Sequence, residues 1–440
     1  MTNRNERTNE RTNERTNERT NERTNERTNE RTNANANKKI ALFNAVQNGG
    51  ETYLNYLKPI AKILQEQLNY DFDVFQYPKE YCGLTLQESQ KILNHKVELF
   101  PNYFFPNYFA TNFDILFCNH QTPARYFPND ILYVSTNHGN SPMPLADPIL
   151  HGQALIHNDV IFCYGKASQK MLVECIQMAR QHPEVPTFAN LRSKKRKTYL
   201  PIIKPLKNLP QIDKDNAKNN FENLVEKYQQ KNLTIGFLPT SVEVLSNGIS
   251  MMNHVDNFVI SIVKQFPLAK YIFRPYFPQK DANSKDVFLV NFLQNLSAEL
   301  AMSDVDFQVD ISGGNVSDFY AKCDVLISDG STGGISFLMN KQMPPIYYFP
   351  RKFLKLEYGY INRFIDLQKD KVLFAHNMKE LIKQISNCIN FTPEQRLEYF
   401  ENCQKDWRLE VDNAEILQKI IAGNFKDFPY VDEEGNFVNI

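Results

Sequence analysis

The alternation of short apolar runs with longer amphipathic stretches is the feature that most limits how this chain can fold. The first run, 38–44, is followed by Gly49-Gly50 and then by apolar residues at helical spacing over 53–68. A buried strand, a glycine turn and a helix are the opening of a Rossmann-like unit. Further runs of strand character, with helical stretches such as 166–181 between them, lie at 72–75, 114–118, 131–134 and 160–163. A largely parallel sheet is expected.

The pattern breaks once and then begins again. A basic cluster, Lys194–Lys197, and a polar helix expected at 212–230 interrupt it, and a new strand is expected at 233–238. The second series of strands and helices is expected at 253–266, 270–274, 285–302, 306–309, 323–327 and 345–348. Because 440 residues are too many for one ordinary core, we predict two Rossmann-like domains that face a cleft. The stretch 378–422 is expected to be helical and to pack back across both domains.

The N-terminal segment repeats Asn-Glu-Arg-Thr with a period of four over residues 5–33 and ends in an Ala-Asn run. It has no apolar residue to bury, so we predict a disordered tail over 1–37. A helix is the alternative, weakened by the Asn and Thr residues. If Glu, Arg, Thr and Asn are read as the codons GAA, CGA, ACG and AAC, the repeat is one tetranucleotide, GAAC, read in successive frames. Gain or loss of one unit shifts the reading frame, so we hypothesise phase variation by slippage, which is common in genes for exposed bacterial surface structures. Neutral repeat expansion is the alternative.

The bulk composition excludes several classes of protein. Formal net charge is zero, whereas a dedicated nucleic-acid binder normally carries a basic excess. The seven scattered cysteines contain no CxxC pair, which argues against a disulfide framework or a zinc site. No apolar run reaches the length of about 18–20 residues that spans a bilayer, and the polar N-terminus has no secretory h-region. We expect a cytoplasmic protein whose membrane contact, if any, is peripheral.

The segment Ser328-Asp329-Gly330-Ser331-Thr332-Gly333-Gly334 is the strongest candidate for a binding loop. It lies between a strand and an apolar helix, at the strand end where open α/β sheets bind ligands. Glycines permit close backbone approach, and the hydroxyls and free N–H groups of a helix start form a phosphate site. Asp329 could hold a ribose hydroxyl, orient a neighbour or transfer a proton. The structural alternative is an N-cap and tight turn that uses Ser331 or Thr332.

Two further strand ends carry polar groups. His138 lies in Thr136-Asn137-His138-Gly139-Asn140, directly after the strand expected at 131–134, and the ordinary pKa of histidine suits a general base. Arg274 ends the strand at 270–274 before Pro275, and a guanidinium there can bind a diphosphate bidentately. The structural alternatives are a loop histidine bonded to backbone and a surface arginine on a proline-rich turn.

The motifs at these three strand ends together resemble those of the GT-B glycerophosphotransferases and capsule or teichoic-acid polymerases. His138-Gly139, Arg274-Pro275-Tyr276 and the loop from Ser328 stand in the order of that family's His-Gly, Arg-Pro-His-Pro and Ser-Asp-x-Ser-Ser motifs, over about 130–350. Tyr276 replaces the family's second-domain histidine, which weakens the CDP-glycerol assignment more than the general transferase one. Thr332 replaces a serine and keeps the hydroxyl.

The resemblance implies a GT-B-like fold and a transferase that uses a nucleotide-activated donor and a glycan or glycolipid acceptor. It makes His138 the base, with Asp329 the other catalytic candidate, and assigns the donor and the acceptor to two sets of residues. The donor set is Arg274, Ser328, Gly330, Ser331, Thr332 and Gly333, and the acceptor set is Asn137, Gly139 and Asn140. The expected divisions are a tail (1–37), an acceptor domain (38–205), a linker helix (206–232), a donor domain (233–375) and C-terminal helices (376–440).

No cofactor or metal is expected. The Asp304-Val305-Asp306 spacing fits a metal motif but is expected to open a strand. Alternative functions are a sialyl-type transferase, a nucleotide-sugar epimerase, or a non-catalytic nucleotide- or glycan-binding protein. The basic cluster Lys194–Lys197 is of a type that contacts anionic lipid at the inner face of the membrane. The alternative is that it is a solvated linker.

Overall fold

The computed structural model describes most of the chain after residue 37. The described residues are 38–45, 51, 54–100, 109, 111–120, 122–137, 148–181, 196–204, 221–240, 251, 255–275, 285–312, 316–329, 331–350, 360–407 and 410–439. The repeat tail and the Gly49-Gly50 pair, for which the sequence makes predictions, lie outside them.

A parallel sheet forms the core of the first domain. Its strands are β1 (Ile40–Asn44), β2 (Phe72–Gln76), β3 (Val97–Leu99), β4 (Ile115–Cys118), β5 (Leu132–Ser135), β6 (Val160–Ile161) and β7 (Thr198–Tyr199). They are arranged β7-β6-β5-β4-β1-β2-β3, so the order reverses between β1 and β4. The four strands predicted after β1 are all present. β3 and β7 were not predicted, because Glu98 and Thr198 interrupt any apolar run there.

Helices cover this sheet and contribute its apolar layers. They are α1 (Lys58–Lys62), α2 (Lys79–Cys82), α3 (Leu86–Leu93), α4 (Pro148–Leu155) and α5 (Lys166–Gln181). α1 continues into a π-helical segment, Ile63–Gln67, within the helix predicted over 53–68. α3 begins at a capping box in which Thr85 and Glu88 exchange hydrogen bonds. A 3₁₀ segment, Thr122–Tyr126, follows β4.

The second domain repeats the same plan with a six-stranded parallel sheet. Its strands are β8 (Thr234–Leu238), β9 (Lys270–Phe273), β10 (Phe307–Val309), β11 (Val325–Ser328), β12 (Ile346–Tyr348) and β13 (Leu373–Ala375). Their order, β10-β9-β8-β11-β12-β13, is the doubly wound order, with its switch point between β8 and β11. Its helices are α6 (Leu224–Gln229), α7 (Val255–Gln265), α8 (Lys285–Ala301), α9 (Val316–Lys322), α10 (Thr332–Lys341), α11 (Tyr360–Gln368) and α12 (Met378–Asn390). Together the two sheets confirm the predicted GT-B-like α/β architecture.

The C-terminal part of the chain returns to the first domain. It contains α13 (Pro393–Trp407), α14 (Asn413–Ile421), β14 (Tyr430–Val431) and β15 (Phe437–Val438). α14 contributes Leu417, Ile420 and Ile421 to the core of the first domain. β14 pairs antiparallel with β7 and extends the first sheet, a return that the short apolar pair Tyr430-Val431 did not reveal.

One apolar cluster joins the domains. It combines residues of α5 with residues of α10, α11 and α13, and Trp407 at its centre is 1% exposed. The Asp406 carboxylate accepts the backbone N–H of Ala167, and Arg363 on α11 makes a bidentate ion pair with Glu174 on α5. The two sheets are therefore fixed to each other along α5.

Among the helices in the described part of the chain, none is both long and apolar enough to cross a membrane.

Candidate functional site

The predicted loop at 328–334 lies at the switch point of the second sheet. β11 ends at Ser328 beside Leu238, the last residue of β8, and α10 begins at Thr332. In doubly wound sheets the connections leave this point in opposite directions and open a crevice at the carboxyl ends of the strands. The position predicted for the binding loop therefore agrees with the sheet order.

The start of α10 is capped by the loop itself. The Ser331 hydroxyl accepts the backbone N–H of Gly333 at 3.2 Å, and the N–H of Gly334 bonds the Ser331 carbonyl at 2.9 Å. The N-cap alternative is thus realised for Ser331. A hydroxyl that caps a helix can still donate its own proton to an anion, because an N-cap uses only its lone pair. Gly330 and the Thr332 side chain lie outside the described parts.

The two loop glycines are required by close packing. A Cβ added to Gly334 would lie 2.3 Å from Cε1 of Tyr347, and one on Gly333 would lie 2.5 Å from Cδ2 of Leu238 and 2.9 Å from the Tyr320 hydroxyl. Tyr347 donates its hydroxyl to the Ser331 carbonyl, and Tyr320 donates its own to the Gly333 carbonyl, at 2.9 and 2.8 Å. The sequence had assigned these glycines to close phosphate approach, and the packing gives them a structural reason.

Ser328 and Asp329 are buried beneath the loop. The Ser328 hydroxyl donates to the Leu238 carbonyl at 2.7 Å. The Asp329 carboxylate accepts the N–H and hydroxyl of Thr240, each at 2.8 Å, and the N–H of Met251 at 2.8 Å. Both side chains are 0% exposed, so neither reaches a ligand in this arrangement. Of the three roles considered for Asp329, these contacts favour orientation of a neighbouring segment rather than catalysis.

Burial gives Asp329 an unusual titration. It raises the pKa of this carboxyl from 3.8 to about 6, against the opposing effect of its hydrogen bonds from Met251 and Thr240. The folded state then holds the proton more tightly than the unfolded state. The contribution of this proton to stability is complete below about pH 4 and is lost as the pH rises through about 6.

Urea unfolding of the wild-type chain and of Asp329→Asn, at steps from pH 4 to pH 7, tests this titration. The free energy of unfolding of the wild type, relative to the variant, is expected to fall as the pH rises to about 6 and then to level off. The slope is at most about 1.4 kcal/mol per pH unit. A difference that stays constant over the whole range would show that Asp329 titrates normally.

Arg274 follows β9 at the same edge of the sheet. Its Nη1 atom lies 2.9 Å from Oδ2 of Asp310, and its guanidinium carbon lies 5.9 Å from the centre of the Phe319 ring. Asp310 also accepts the hydroxyl of Ser312 at 2.6 Å. Because this side chain is 14% exposed and paired with Asp310, the contacts do not favour the alternative of a surface arginine on a proline-rich turn. Tyr276 lies outside the described residues.

On the first domain only part of the predicted loop can be placed. Asn137 follows β5, is half-buried, has a φ of 57° and donates its backbone N–H to the Ser135 hydroxyl. His138, Gly139 and Asn140 lie outside the described residues, so their roles remain predictions.

Buried tyrosines hold both the loop after β5 and the loop before α10. Tyr164 donates its hydroxyl to the Thr136 carbonyl, and its ring lies 6.2 Å from that of Tyr56. In the second domain, Tyr320 donates its hydroxyl to the Gly333 carbonyl. Each of the two loops is therefore tied to a buried phenol of its own domain.

Within the described residues, no group of three or more His, Cys, Asp or Glu side chains is arranged to hold a metal ion. Asp304 and Asp306 precede β10, at the amino edge of the second sheet and therefore opposite the binding loop. As expected, they lead into a strand.

The basic cluster is only partly described, and its described half is engaged. Arg196 forms an ion pair of 2.7 Å with the buried Asp159, and the Lys197 ammonium lies 4.6 Å from the centre of the Tyr430 ring. These contacts hold the segment against the first domain. They favour a structural role over lipid contact for both residues, whereas Lys194 and Lys195 lie outside the described residues.

Sequence reasoning missed the tyrosines and the partners of Asp329. Tyr164, Tyr320 and Tyr347 lie in or beside apolar runs, and the sequence shows no local sign of their hydrogen bonds. Each bond joins segments that are distant in sequence, so only the fold brings the groups together.

The fold and site define a two-domain α/β protein of the GT-B type with a candidate anion-binding loop in its second domain. No protein-family model and no curated protein matches the chain. Among solved structures, a putative UDP-N-acetylglucosamine 2-epimerase from Listeria monocytogenes is 9% identical, covers 88% of this chain and 97% of its own, and has a TM-score of 0.50.

Other similar structures fall just below that score. The wall teichoic acid polymerase TagF is 15% identical over 89% of this chain and 90% of its own, with a TM-score of 0.49. A UDP-GlcNAc 2-epimerase from Neisseria meningitidis, bound to UDP-GlcNAc, is 11% identical over 88% and 100%, with a TM-score of 0.47. A teichoic-acid polymerase, as the motifs led us to expect, is thus among the similar structures. Identities this low show a shared fold and do not assign an activity.

Proposed function

We propose that this chain is a transferase that moves a sugar or polyol-phosphate group from a nucleotide-activated donor to a cell-surface glycan. The acceptor would be of the capsule, lipopolysaccharide or teichoic-acid type. The observation that carries the proposal is the capped start of α10 at the switch point of the second sheet, with its Ser331 and Gly333 carbonyls held by Tyr347 and Tyr320.

The chemistry follows from the two sides of the site. The acceptor hydroxyl attacks the transferred group, His138 takes its proton, and the bond to the donor phosphate breaks. Negative charge then grows on the departing nucleotide. N–H groups at the start of α10, the Ser331 hydroxyl and the Arg274 guanidinium are the groups that stabilise this charge. The proposed reaction needs no metal ion, and because activated nucleotide donors are made inside cells, it belongs in the cytoplasm.

A thermal-shift screen of the purified chain with CDP, UDP, GDP and CMP tests the donor half of this proposal. A ligand at 100 times its Kd stabilises the folded state by about 2.7 kcal/mol, so one base is expected to raise the melting temperature clearly above the others. Adenosine, which carries no phosphate, is the control. If none of the nucleotides shifts the melting temperature, the proposed nucleotide donor is wrong.

The likeness to a putative UDP-GlcNAc 2-epimerase favours epimerisation of a nucleotide sugar as a second candidate. Product analysis separates the two. An epimerase converts the nucleotide sugar without an acceptor and keeps the nucleotide attached, whereas a transferase releases nucleotide in proportion to glycan product. Nucleotide binding with neither product points to the third reading, a non-catalytic binding protein.

A further inference from the structure

The proposed function assigns the donor phosphates to the loop but does not explain what holds the loop in shape. Its two central carbonyls, those of Ser331 and Gly333, each accept a phenol hydroxyl from another element. Tyr347 comes from β12 and Tyr320 from α9, so the bonds reach the loop from two separate parts of the domain. Both tyrosines are at most 1% exposed.

The two glycines of the loop lie close to the same phenols. A Cβ added to Gly334 would lie 2.5 Å from the Tyr347 hydroxyl, and one on Gly333 would lie 2.9 Å from the Tyr320 hydroxyl and 2.5 Å from Cδ2 of Leu238. The start of α10 is therefore packed against both tyrosines as well as bonded to them.

We propose that Tyr320 and Tyr347 are positioning residues that fix the Ser331–Gly334 segment, so that the Thr332 N–H and the Ser331 hydroxyl are preset for the phosphates of a nucleoside diphosphate. This inference rests on the proposed function, since it concerns the same site. The physical reason is preorganisation. A peptide group whose carbonyl is held from behind cannot rotate its N–H away from the ligand, so binding need not order it.

The chain offers a matched control for these bonds. Tyr271 on β9 is also 0% exposed, and its hydroxyl also donates to a backbone carbonyl, that of Phe266, at 2.5 Å. Tyr271→Phe thus removes a buried phenol bond in the same domain without touching the loop. A loss of stability common to Tyr320→Phe, Tyr347→Phe and Tyr271→Phe reports only the lost bond.

Calorimetric titration with the nucleoside diphosphate that stabilises the wild type is the test. Tyr320→Phe and Tyr347→Phe are each expected to bind it about five to ten times more weakly, the equivalent of about 1.0–1.4 kcal/mol. Tyr271→Phe is expected to bind it like the wild type. Equal affinity in all four proteins, or equal weakening in the control, overturns the inference.

Hydrogen exchange of the unliganded proteins separates this inference from the proposed function. Amides of a peptide covering 331–336 are expected to exchange faster in Tyr320→Phe and Tyr347→Phe than in the wild type, and unchanged in Tyr271→Phe. Unchanged exchange in all variants contradicts the positioning role, whatever the ligand. If exchange rises as expected but the wild type binds no nucleotide, the positioning of the loop stands and its assignment to nucleotide phosphates fails.

Discussion

Replacing His138 by alanine is expected to slow group transfer by about 10²–10⁴-fold, which is the usual contribution of a general base. The acceptor hydroxyl must lose its proton as it attacks, and the variant removes the imidazole proposed to take it. Nucleotide affinity is expected to stay at the wild-type value, because the donor loop belongs to the other domain. The measurement is the rate of nucleotide release with and without acceptor, beside nucleotide Kd.

His95 supplies the control for this variant. It lies in the same domain before β3, bonds the Phe72 carbonyl at 2.9 Å and stacks on the Phe72 ring. That position is at the amino edge of the sheet, opposite the proposed site. His95→Ala is therefore expected to lower stability without lowering the transfer rate of folded protein. If His138→Ala turns over at the wild-type rate, His138 is not the base.

Gly334→Ala is expected to show no nucleotide binding at nucleotide concentrations that saturate the wild type. The new Cβ would lie 2.3 Å from Cε1 and 2.5 Å from the hydroxyl of Tyr347, distances that force the ring or the helix start to move. Tyr347 is packed in the interdomain cluster, so the movement falls on the loop. Overpacking of this kind costs about 1–3 kcal/mol of stability, which chemical denaturation measures.

Gly423→Ala is the matched substitution. Gly423 follows α14 with a φ of 67°, and an added Cβ there has no neighbour within 4 Å. Backbone strain lowers the stability of this variant too, but its nucleotide affinity should equal that of the wild type. Equal nucleotide binding by Gly334→Ala and Gly423→Ala would contradict the tight packing of the loop start against Tyr347.

The strands that position the site were predictable because they are continuous apolar runs. β1, β8 and β11 are buried on both faces. Each therefore shows a continuous apolar run instead of the alternating apolar and polar residues of a half-exposed strand. β13 and β14 were not predicted from the sequence. The doubly wound order, which gives the loop its position, follows from the alternation of strands and helices together with the hand of their connections.

The side chains of the site were predicted in type but not in role. Asp329 was singled out for its position, yet its partners Thr240 and Met251 are 89 and 78 residues away in sequence. The same holds for the glycines of the loop, whose neighbours Tyr320 and Tyr347 lie on other elements. Local sequence shows which groups stand at a strand end. It does not show which of them the fold turns inward.

The most direct test of the central claim is a crystal structure of the chain soaked with the nucleoside diphosphate that stabilises it. The diphosphate is expected beside the N–H groups of the first turn of α10, with one phosphate within hydrogen-bond distance of the Ser331 hydroxyl and the Arg274 guanidinium turned toward it. A nucleotide bound elsewhere, with the Ser331–Gly334 segment free, would contradict the assignment of the second domain to the donor.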